Sequence, residues 1–293
     1  MEVTKNDSIV WKQKLIEILK FVISICDEYS IRYYICYGSA IGVVRHEGFI
    51  PWDDDIDIFI PRPDYIKFQK ILIERNDPNY EFFSYSTNES YIQPMGKVVD
   101  KHTTLLELDS QNYVEGLYID VFPLDGCSDS FDIFMKDMVR YRHLYLKMQV
   151  LNEPLNYRVI RSIWRMIKKK NFYFLRYLPY YSIRPFLRRE SLLSKMETIE
   201  NKYSYDESTH VACYSGAYKG KEYCLKSWFG KGREMYFEGV KVLMPDNYDA
   251  YLNHLYGDYM KLPPESKRVS HHFAAYYNLN ERISLQEACS YIQ

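Results

Sequence analysis

The stretch that decides the fold is residues 37–65, YGSAIGVVRHEGFIPWDDDIDIFIPRPDY. Four of its residues are aspartates that fall within five consecutive positions, the last being Asp57. From Asp55 onward, aspartate and apolar residues alternate, which is the period-2 pattern of a half-buried strand. On such a strand Asp53, Asp55 and Asp57 share one face, and the isoleucines share the other. The pattern therefore predicts a strand over residues 55–60.

The aspartates are crowded enough to repel one another unless a cation neutralises them. Hard divalent ions such as Mg²⁺ prefer oxygen ligands and often take one or two carboxylates together with substrate phosphates. A solvated acidic turn and a calcium loop are the alternatives. The EF-hand pattern requires a glycine and a glutamate that are missing here, and isoleucine at every second position disfavours a solvated turn. We therefore predict that Asp55 and Asp57 bind Mg²⁺ or Mn²⁺.

A third aspartate, Asp120, lies in the middle of an apolar, strand-like run at residues 116–125. A carboxylate in such a strand needs a strong compensating partner. A structural ion pair and a metal held by Asp55 and Asp57 explain it equally well when the run is considered alone. Together with the aspartate run, it indicates that Asp120 is the third metal ligand.

Several polar residues around the aspartates are candidates for binding phosphate. Gly38 and Ser39 follow a short β-prone segment and precede a short helix, where a glycine and a hydroxyl allow close approach of a phosphate, although such a pair alone is more often a turn. Arg45 and His46 follow that helix, and Lys97 belongs to a strand-like segment suited to a diphosphate. A surface arginine and a solvated lysine at a strand edge are the respective alternatives.

The bulk properties exclude several classes of protein. The 293 residues carry a formal net charge of −1, which argues against a general nucleic-acid binder. The first residues lack the basic start and apolar run of a secretory signal, and no apolar stretch approaches the length of a membrane span. The six cysteines have no CxxC spacing, so neither a zinc site nor a disulfide framework is indicated. We expect a cytoplasmic protein with buried or free thiols.

The order of predicted elements gives an α/β (α+β) fold, in which a mixed sheet is flanked by helices. Four strand-like segments at residues 80–85, 93–99, 103–108 and 117–122 have the pattern of an antiparallel meander. We divide the chain into a catalytic core, an appended helical basic lobe and a small C-terminal mixed segment that packs back on the core. These three parts cover residues 1–127, 128–205 and 206–293.

The helical lobe contains a strongly basic stretch. Residues 154–189 include ten lysines and arginines and no acidic residue. Aromatic residues such as Trp164, Phe172 and Tyr180 are interleaved with these cations. Basic amphipathic segments with aromatics bind anionic membrane surfaces, so we expect peripheral membrane contact. A solvated helix pair and a lobe that grips a phosphorylated acceptor are the alternatives.

Gly38-Ser39, the Asp55-Ile56-Asp57 strand and Asp120 together resemble the pattern of the nucleotidyltransferase superfamily. Residues 37–65 as a whole closely resemble the LicD family of phosphotransferases, which includes phosphocholine transferases and is related to fukutin-type ribitol-phosphate transferases. Ala40-Ile41 departs mildly from the family pattern, and the cysteine zinc loop of the fukutin-related enzymes has no counterpart here. Further resemblance lies at residues 119–125, 237–239, 256–260 and 262–264.

This resemblance implies a nucleotidyltransferase-like core that uses CDP-choline, or a similar CDP-alcohol, as donor. The phospho-alcohol would pass to a hydroxyl of a glycan precursor of lipopolysaccharide, teichoic acid or capsule, including lipid-linked forms, with release of CMP. Asp120 is then also the candidate base, and Trp52 the aromatic wall for choline, with a core anchor as its alternative role. No role follows from spacing for Glu238, Tyr256, Asp258, Arg268 and His271.

Three other functions remain open on the sequence alone. A true nucleotidyltransferase would transfer a nucleoside monophosphate with the same fold and metals. A related phosphotransferase would take CDP-ribitol, CDP-glycerol or CDP-ethanolamine. A non-catalytic glycan-binding protein would have kept only the fold, but its clustered carboxylates would then only destabilise it.

Overall fold

The computed structural model describes residues 5–91, 93–108, 111–152, 157–168, 170–268 and 274–292. Within these residues, seven strands form one mixed sheet with the order β1-β2-β6-β4-β3, and β7 joins β6 to β8 at one end. The strands of this sheet are β1 (Tyr34–Ile35), β2 (Asp57–Pro61), β3 (Tyr80–Phe83), β4 (Gly96–Asp100), β6 (Tyr118–Cys127), β7 (His210–Ala212) and β8 (Cys224–Leu225). Two small ladders pair β5 (Thr104–Leu106) with β11 (Tyr276–Asn278), and β9 (Arg233–Phe237) with β10 (Val240–Met244).

Helices cover the sheet and build a separate helical segment. The apolar stripe of α1 recurs every three to four residues, so Leu15, Ile18, Val22 and Ile25 are all buried in the main core. This arrangement confirms the predicted α/β fold with flanking helices. The helices are α1 (Lys5–Tyr29), α2 (Tyr37–His46), α3 (Arg62–Arg75), α4 (Phe131–Asn152), α5 (Tyr157–Lys168), α6 (Leu178–Ile183), α7 (Arg189–Glu200), α8 (Tyr248–Tyr256) and α9 (Leu285–Ser290).

The strand predicted over residues 55–60 begins later than expected, at Asp57. Ahead of it the chain turns, because the Asp53 amide donates to the Ile50 carbonyl at 2.9 Å. The Trp11 indole donates to the Asp54 carbonyl at 2.9 Å, so α1 takes a backbone acceptor that a neighbouring strand would otherwise use. Asp53 and Asp55 therefore precede the strand, and the predicted alternation holds only from Asp57 onward.

The predicted antiparallel meander is wrong in its strand order. β6 lies between β2 and β4, parallel to β2 and antiparallel to β4, while β5 leaves the sheet to pair with β11. Every residue of β2 and of β6 is buried, as expected for central strands that are covered on both faces. This central parallel pair sets the geometry of the candidate site.

The helical segment has its own apolar cluster, built from residues of α4 and α7. Phe134, Tyr141, Met148, Leu192 and Met196 are buried in it together with Tyr214 from the C-terminal part. The C-terminal part also contributes β7 and β8 to the main sheet. The boundaries at 127 and 205 stay predictions. Over the part of the chain that the structure describes, every helix is too short or too polar to span a bilayer.

Candidate active site

Three polar residues cross neighbouring strands of the sheet in one row. Asp57 of β2 pairs with Asp120 of β6, and Asp120 pairs in turn with Lys97 of β4. Directly paired residues on adjacent strands point to the same face of a sheet. All three side chains are buried. The sheet therefore brings together two aspartates that are 63 positions apart in the sequence.

Gly38 and Ser39 were predicted to precede a helix, but they lie in the first turn of α2, which is tied to the first residue of β2. The Ser39 hydroxyl accepts a hydrogen bond from the Asp57 amide at 2.9 Å, and the Cys36 amide donates to the Asp57 carbonyl at 3.0 Å. A Cβ atom on Gly38 would lie 2.9 Å from Asp53 Oδ2, so glycine permits the close approach of the aspartate run. The start of α2 and the aspartate run therefore lie side by side.

The carboxylates of the site act strongly on one another. Burial raises the pKa of Asp57 well above its usual range, and the negative charges of Asp55, Asp120 and Asp53 raise it further. A divalent cation would offset this repulsion, and carboxylate oxygens are the donors that Mg²⁺ prefers. Among the described residues, no three acidic, histidine or cysteine side chains form a preformed metal cage. The donor chemistry fits an ion that completes its coordination with water and substrate phosphates.

Lys97 belongs to the same row, but its charge is held inside the protein. Its ammonium lies 3.1 Å from both oxygens of buried Glu115, 3.8 Å from Glu107, and 3.4 Å from the centre of the Tyr118 ring. Burial works against the charged form, yet the carboxylates of Glu107, Glu115 and Asp120 raise the Lys97 pKa overall. Lys97 is therefore better placed to act on the charge of Asp120 than to contact a diphosphate directly.

A group of cations lies around the C-terminal end of α2. The Arg45 guanidinium donates to the Tyr259 carbonyl at 2.7 Å and lies 2.9 Å from the His46 ring. Burial lowers the Arg45 pKa, and the positive charge of Arg268 lowers it further. The Arg268 guanidinium in turn lies 5.7 Å from the centre of the Trp52 ring. An anion bound here would relieve the repulsion between the two arginines.

An aromatic network at the N-terminal end of α2 was not predicted from the sequence. The Tyr37 hydroxyl and the Tyr218 amide both donate to buried Glu222, each at 2.9 Å. The Tyr37 and Tyr218 rings are 5.6 Å apart, and the Tyr218 hydroxyl hydrogen-bonds the Tyr256 hydroxyl at 2.9 Å. Gly216 makes room for this network, since a Cβ there would lie 2.0 Å from Glu222 Oε1. Tyr37 and Tyr256 belong to the LicD-like stretches, but no sequence pattern predicts the contacts that join them to Tyr218 and Glu222.

Glu238, for which the sequence gave no role, supports the loop before the aspartates. Its carboxylate accepts from the Phe49 amide at 3.1 Å, and its own amide donates to the Glu47 carbonyl at 2.8 Å. Gly48 permits this contact, because a Cβ atom there would lie 2.2 Å from Glu238 Oε1. His271 lies outside the described residues.

A glycine and a serine in the first turn of α2, bonded to a parallel strand pair with two facing aspartates, match the nucleotidyltransferase pattern that the sequence resembles. In agreement, the LicD/FKTN/FKRP nucleotidyltransferase domain matches residues 30–167. The lipopolysaccharide cholinephosphotransferase LicD of Haemophilus influenzae is 27% identical over 270 residues, which cover 90% of this chain and 95% of that protein. Both matches support a LicD-family phosphotransferase.

Two shorter matches extend the comparison. An uncharacterized protein of Rickettsia typhi is 43% identical over 58 residues, which cover 20% of this chain and 19% of that protein. An uncharacterized protein of Rickettsia prowazekii is 36% identical over 74 residues, which cover 25% of this chain and 26% of that protein. These matches are local and carry no argument about activity.

Proposed function

We propose that this chain transfers phosphocholine from CDP-choline to a hydroxyl of a glycan precursor of the lipopolysaccharide type, with release of CMP. The observation that carries the proposal is the pairing of Asp57 with Asp120 beside the Ser39 turn. The similarity to a lipopolysaccharide cholinephosphotransferase along nearly the whole chain supports the choice of head group and acceptor.

Different residues of the site would support different parts of such a transfer. Phosphoryl transfer needs positioning and charge neutralisation more than covalent chemistry. Asp55, Asp57 and Asp120 would hold Mg²⁺ or Mn²⁺, which when bound neutralises charge on the transferring phosphate. The Gly38-Ser39 turn holds Asp57 in place through the Ser39 hydroxyl.

The positively charged residues beside α2 would bind the phosphates of the donor. Arg45 and Arg268 form the positive side of the site and would bind the diphosphate of the donor. His46 accepts a hydrogen bond from Arg45, and burial and the charge of Arg45 lower its pKa, so it holds Arg45 as a neutral ring. The acceptor oxygen then attacks the phosphorus that carries the choline ester, and the bond to CMP breaks. Asp120 is our candidate for the base that accepts the proton of the acceptor hydroxyl, and the positive charge of Lys97 acts on it.

A donor screen by CMP release tests the proposal. The protein is incubated with Mg²⁺, a lipopolysaccharide acceptor and one donor at a time: CDP-choline, CDP-ethanolamine, CDP-glycerol, CDP-ribitol or CTP. We expect acceptor-dependent CMP release to be fastest with CDP-choline. Fastest release from CDP-ribitol or CDP-glycerol would assign a different head group, and release of pyrophosphate from CTP would indicate a nucleotidyltransferase instead.

We also propose that the helical lobe contacts an anionic membrane surface, where a lipid-linked acceptor would be found. On α5, Ile160, Trp164 and Ile167 are 46%, 60% and 39% exposed, and their spacing of four and three residues puts them on one helical face. Further exposed apolar residues follow, and the lysines at 168 and 170 are exposed beside them. This apolar face, bordered by positive charge, fits a bilayer interface. The exposed apolar residues after α5 are Phe172, Leu175, Leu178, Ile183 and Phe186.

A further inference from the structure

The two ends of α2 differ in their charged and aromatic groups, with Arg45 at the C-terminal end and Tyr37, packed against Tyr218, at the N-terminal end. On the side of Trp52 lie the guanidinium groups of Arg45 and Arg268, which repel each other. Lys12 of α1 lies 4.8 Å from the centre of the Phe49 ring, in the loop before the aspartates; burial lowers its pKa, and the negative charges of Asp53 and Asp54 oppose that shift. These positive charges favour binding of the phosphates of a nucleoside diphosphate. They disfavour binding of a cationic head group on the same side.

The side of Tyr218 is aromatic and negative. The Tyr218 ring is 36% exposed, packs against Tyr37, and meets the Tyr256 ring edge-on at 5.2 Å and 78°. Burial raises the pKa of Tyr218, and the negative charges of Glu222, Asp57 and Asp53 raise it further. The pKa of Tyr256 is raised chiefly by burial and also by the charge of Asp57. These rings therefore lie within the field of the catalytic aspartates.

Such a surface matches the chemistry of a quaternary ammonium group. This cation has no hydrogen-bond donor, so it is recognised by aromatic faces and by nearby negative charge. The Trp52 ring offers a poorer site, because the Arg268 guanidinium already lies over it. A neutral polyol head group would gain little from the tyrosine rings.

We infer that Tyr218 and Tyr256 form the subsite for the quaternary ammonium of the donor, and that they make the protein select choline over neutral alcohols. The inference rests on the proposed function, and it assigns the head group to the negative side of the site and the nucleotide to the positive side. It moves the choline subsite away from Trp52, where the sequence had suggested it.

The experiment compares kcat/KM for CDP-choline and CDP-glycerol in the wild type and three variants. Tyr218→Leu removes an aromatic face, Tyr218→Phe keeps it, and Trp52→Leu tests the other side. We expect Tyr218→Leu to reduce the preference for CDP-choline by about 3- to 30-fold, mainly through KM, as loss of a cation–π contact predicts. Tyr218→Phe should keep the preference, and Trp52→Leu should affect both donors alike.

A second measurement uses choline itself and its neutral isostere 3,3-dimethylbutan-1-ol as inhibitors of CMP release. We expect choline to inhibit the wild type better than the isostere, and Tyr218→Leu to remove that difference. An equal loss for both donors in Tyr218→Leu would overturn the subsite and indicate that the rings stack on the cytosine base. A selective loss of CDP-choline in Trp52→Leu would return the subsite to Trp52. If the wild type releases no CMP from any CDP-alcohol, the proposed function fails, and the subsite fails with it.

Discussion

The two ends of the β2–β6 strand pair hold buried aspartates in opposite ways. At the start, Asp57 faces Asp120, and the charges that raise its pKa are those of other carboxylates. Five residues further along β6, roughly 16 Å away, Asp125 accepts two hydrogen bonds from the guanidinium of Arg62, at 2.5 and 2.9 Å. Both aspartates are buried in the same sheet. A buried carboxylate that the fold supplies with its own cation is structural, whereas crowded carboxylates indicate a site for a cation from outside.

Breaking the structural pair should give the largest effect on stability. Asp125→Asn leaves the buried Arg62 guanidinium with Glu200, at 3.5 Å, as its remaining charged partner among the described residues. Removing one member of a buried ion pair costs about 3–5 kcal/mol in the free energy of unfolding, which urea denaturation would measure. A loss below about 1 kcal/mol would mean that this end of the strands is not held by charge, and the contrast with Asp57 would disappear.

The corresponding substitution at the other end of the strand pair, Asp57→Asn, should change the rate of the reaction without destabilising the fold. Asp57→Asn removes a carboxylate from a repelling cluster, so we expect the fold to keep or gain stability. CMP release should fall by about 10²–10³-fold, as when charge stabilisation at a transition state is lost. Asp27→Asn, at an exposed position on α1, is the matched control and should behave as the wild type. A mild loss in Asp57→Asn would place the metal site elsewhere.

Local pattern was enough to predict some of these features. The apolar stripe of α1 is encoded within a few residues, and the structure buries it as its periodicity predicted. The alternation of aspartate and isoleucine predicted the strand two residues too early, and Gly38 and Ser39 lie within the first turn of α2 and not ahead of it. The register of Asp57 with Asp120 depends on a parallel pairing that has no local signal. The contact of β5 with β11 joins residues some 170 positions apart, which explains why an antiparallel meander was expected instead.

The aromatic side of the site could not be predicted from the sequence either, because it too depends on contacts between distant segments. The contacts of Tyr218 with Tyr37 and with Tyr256 join segments that are far apart in the sequence. Thirty tyrosines in the chain give no composition signal that singles out these three. The LicD-like motifs included Tyr256, but its role follows from its contact with Tyr218 and not from its spacing.

Glu222 is a third kind of buried carboxylate, because it is held by hydrogen bonds from Tyr37 and Tyr218 and has neither an ion-pair partner like Arg62 nor a crowd of carboxylates among the contacts described above. Burial raises its pKa to about 7, although these hydrogen bonds oppose the shift. The folded state therefore binds more protons than the unfolded state between pH 4.5 and about 7, and stability contributed by protonated Glu222 is lost as pH rises through this window. We expect Glu222→Gln to lack this loss, which is on the order of 3 kcal/mol. Thermal unfolding of both proteins from pH 4.5 to 7.5 measures it, and parallel curves would contradict the shift.

Substitutions in the helical lobe should have the smallest effect per residue, and the quantity they change is the affinity for an anionic membrane surface. Lys168→Glu with Lys170→Glu should weaken binding to vesicles that contain anionic lipid, by about 1 kcal/mol for each charge. Binding should also weaken with added salt, because screening shortens the reach of exposed charges. Lys20→Glu with Lys70→Glu, at exposed positions on the core, is the control. Lys169, the third cation of this run, lies outside the described residues.

Two results would contradict membrane contact by the lobe. Equal co-sedimentation of the lobe variant and the wild type with anionic vesicles would show that these lysines do not bind lipid. Loss of CMP release with a soluble acceptor in the lobe variant would assign the charges to the active site instead.

The central claim is that Asp57 and Asp120 face each other in order to bind a divalent cation. The most direct measurement is the binding of Mn²⁺ to metal-free protein, followed by electron paramagnetic resonance, for the wild type and Asp57→Asn, with CMP release recorded at each metal concentration. We predict that the wild type binds Mn²⁺ and gains activity with the same midpoint, and that Asp57→Asn does neither over this range. Full activity of the metal-free wild type, or equal Mn²⁺ binding by Asp57→Asn, would contradict the account.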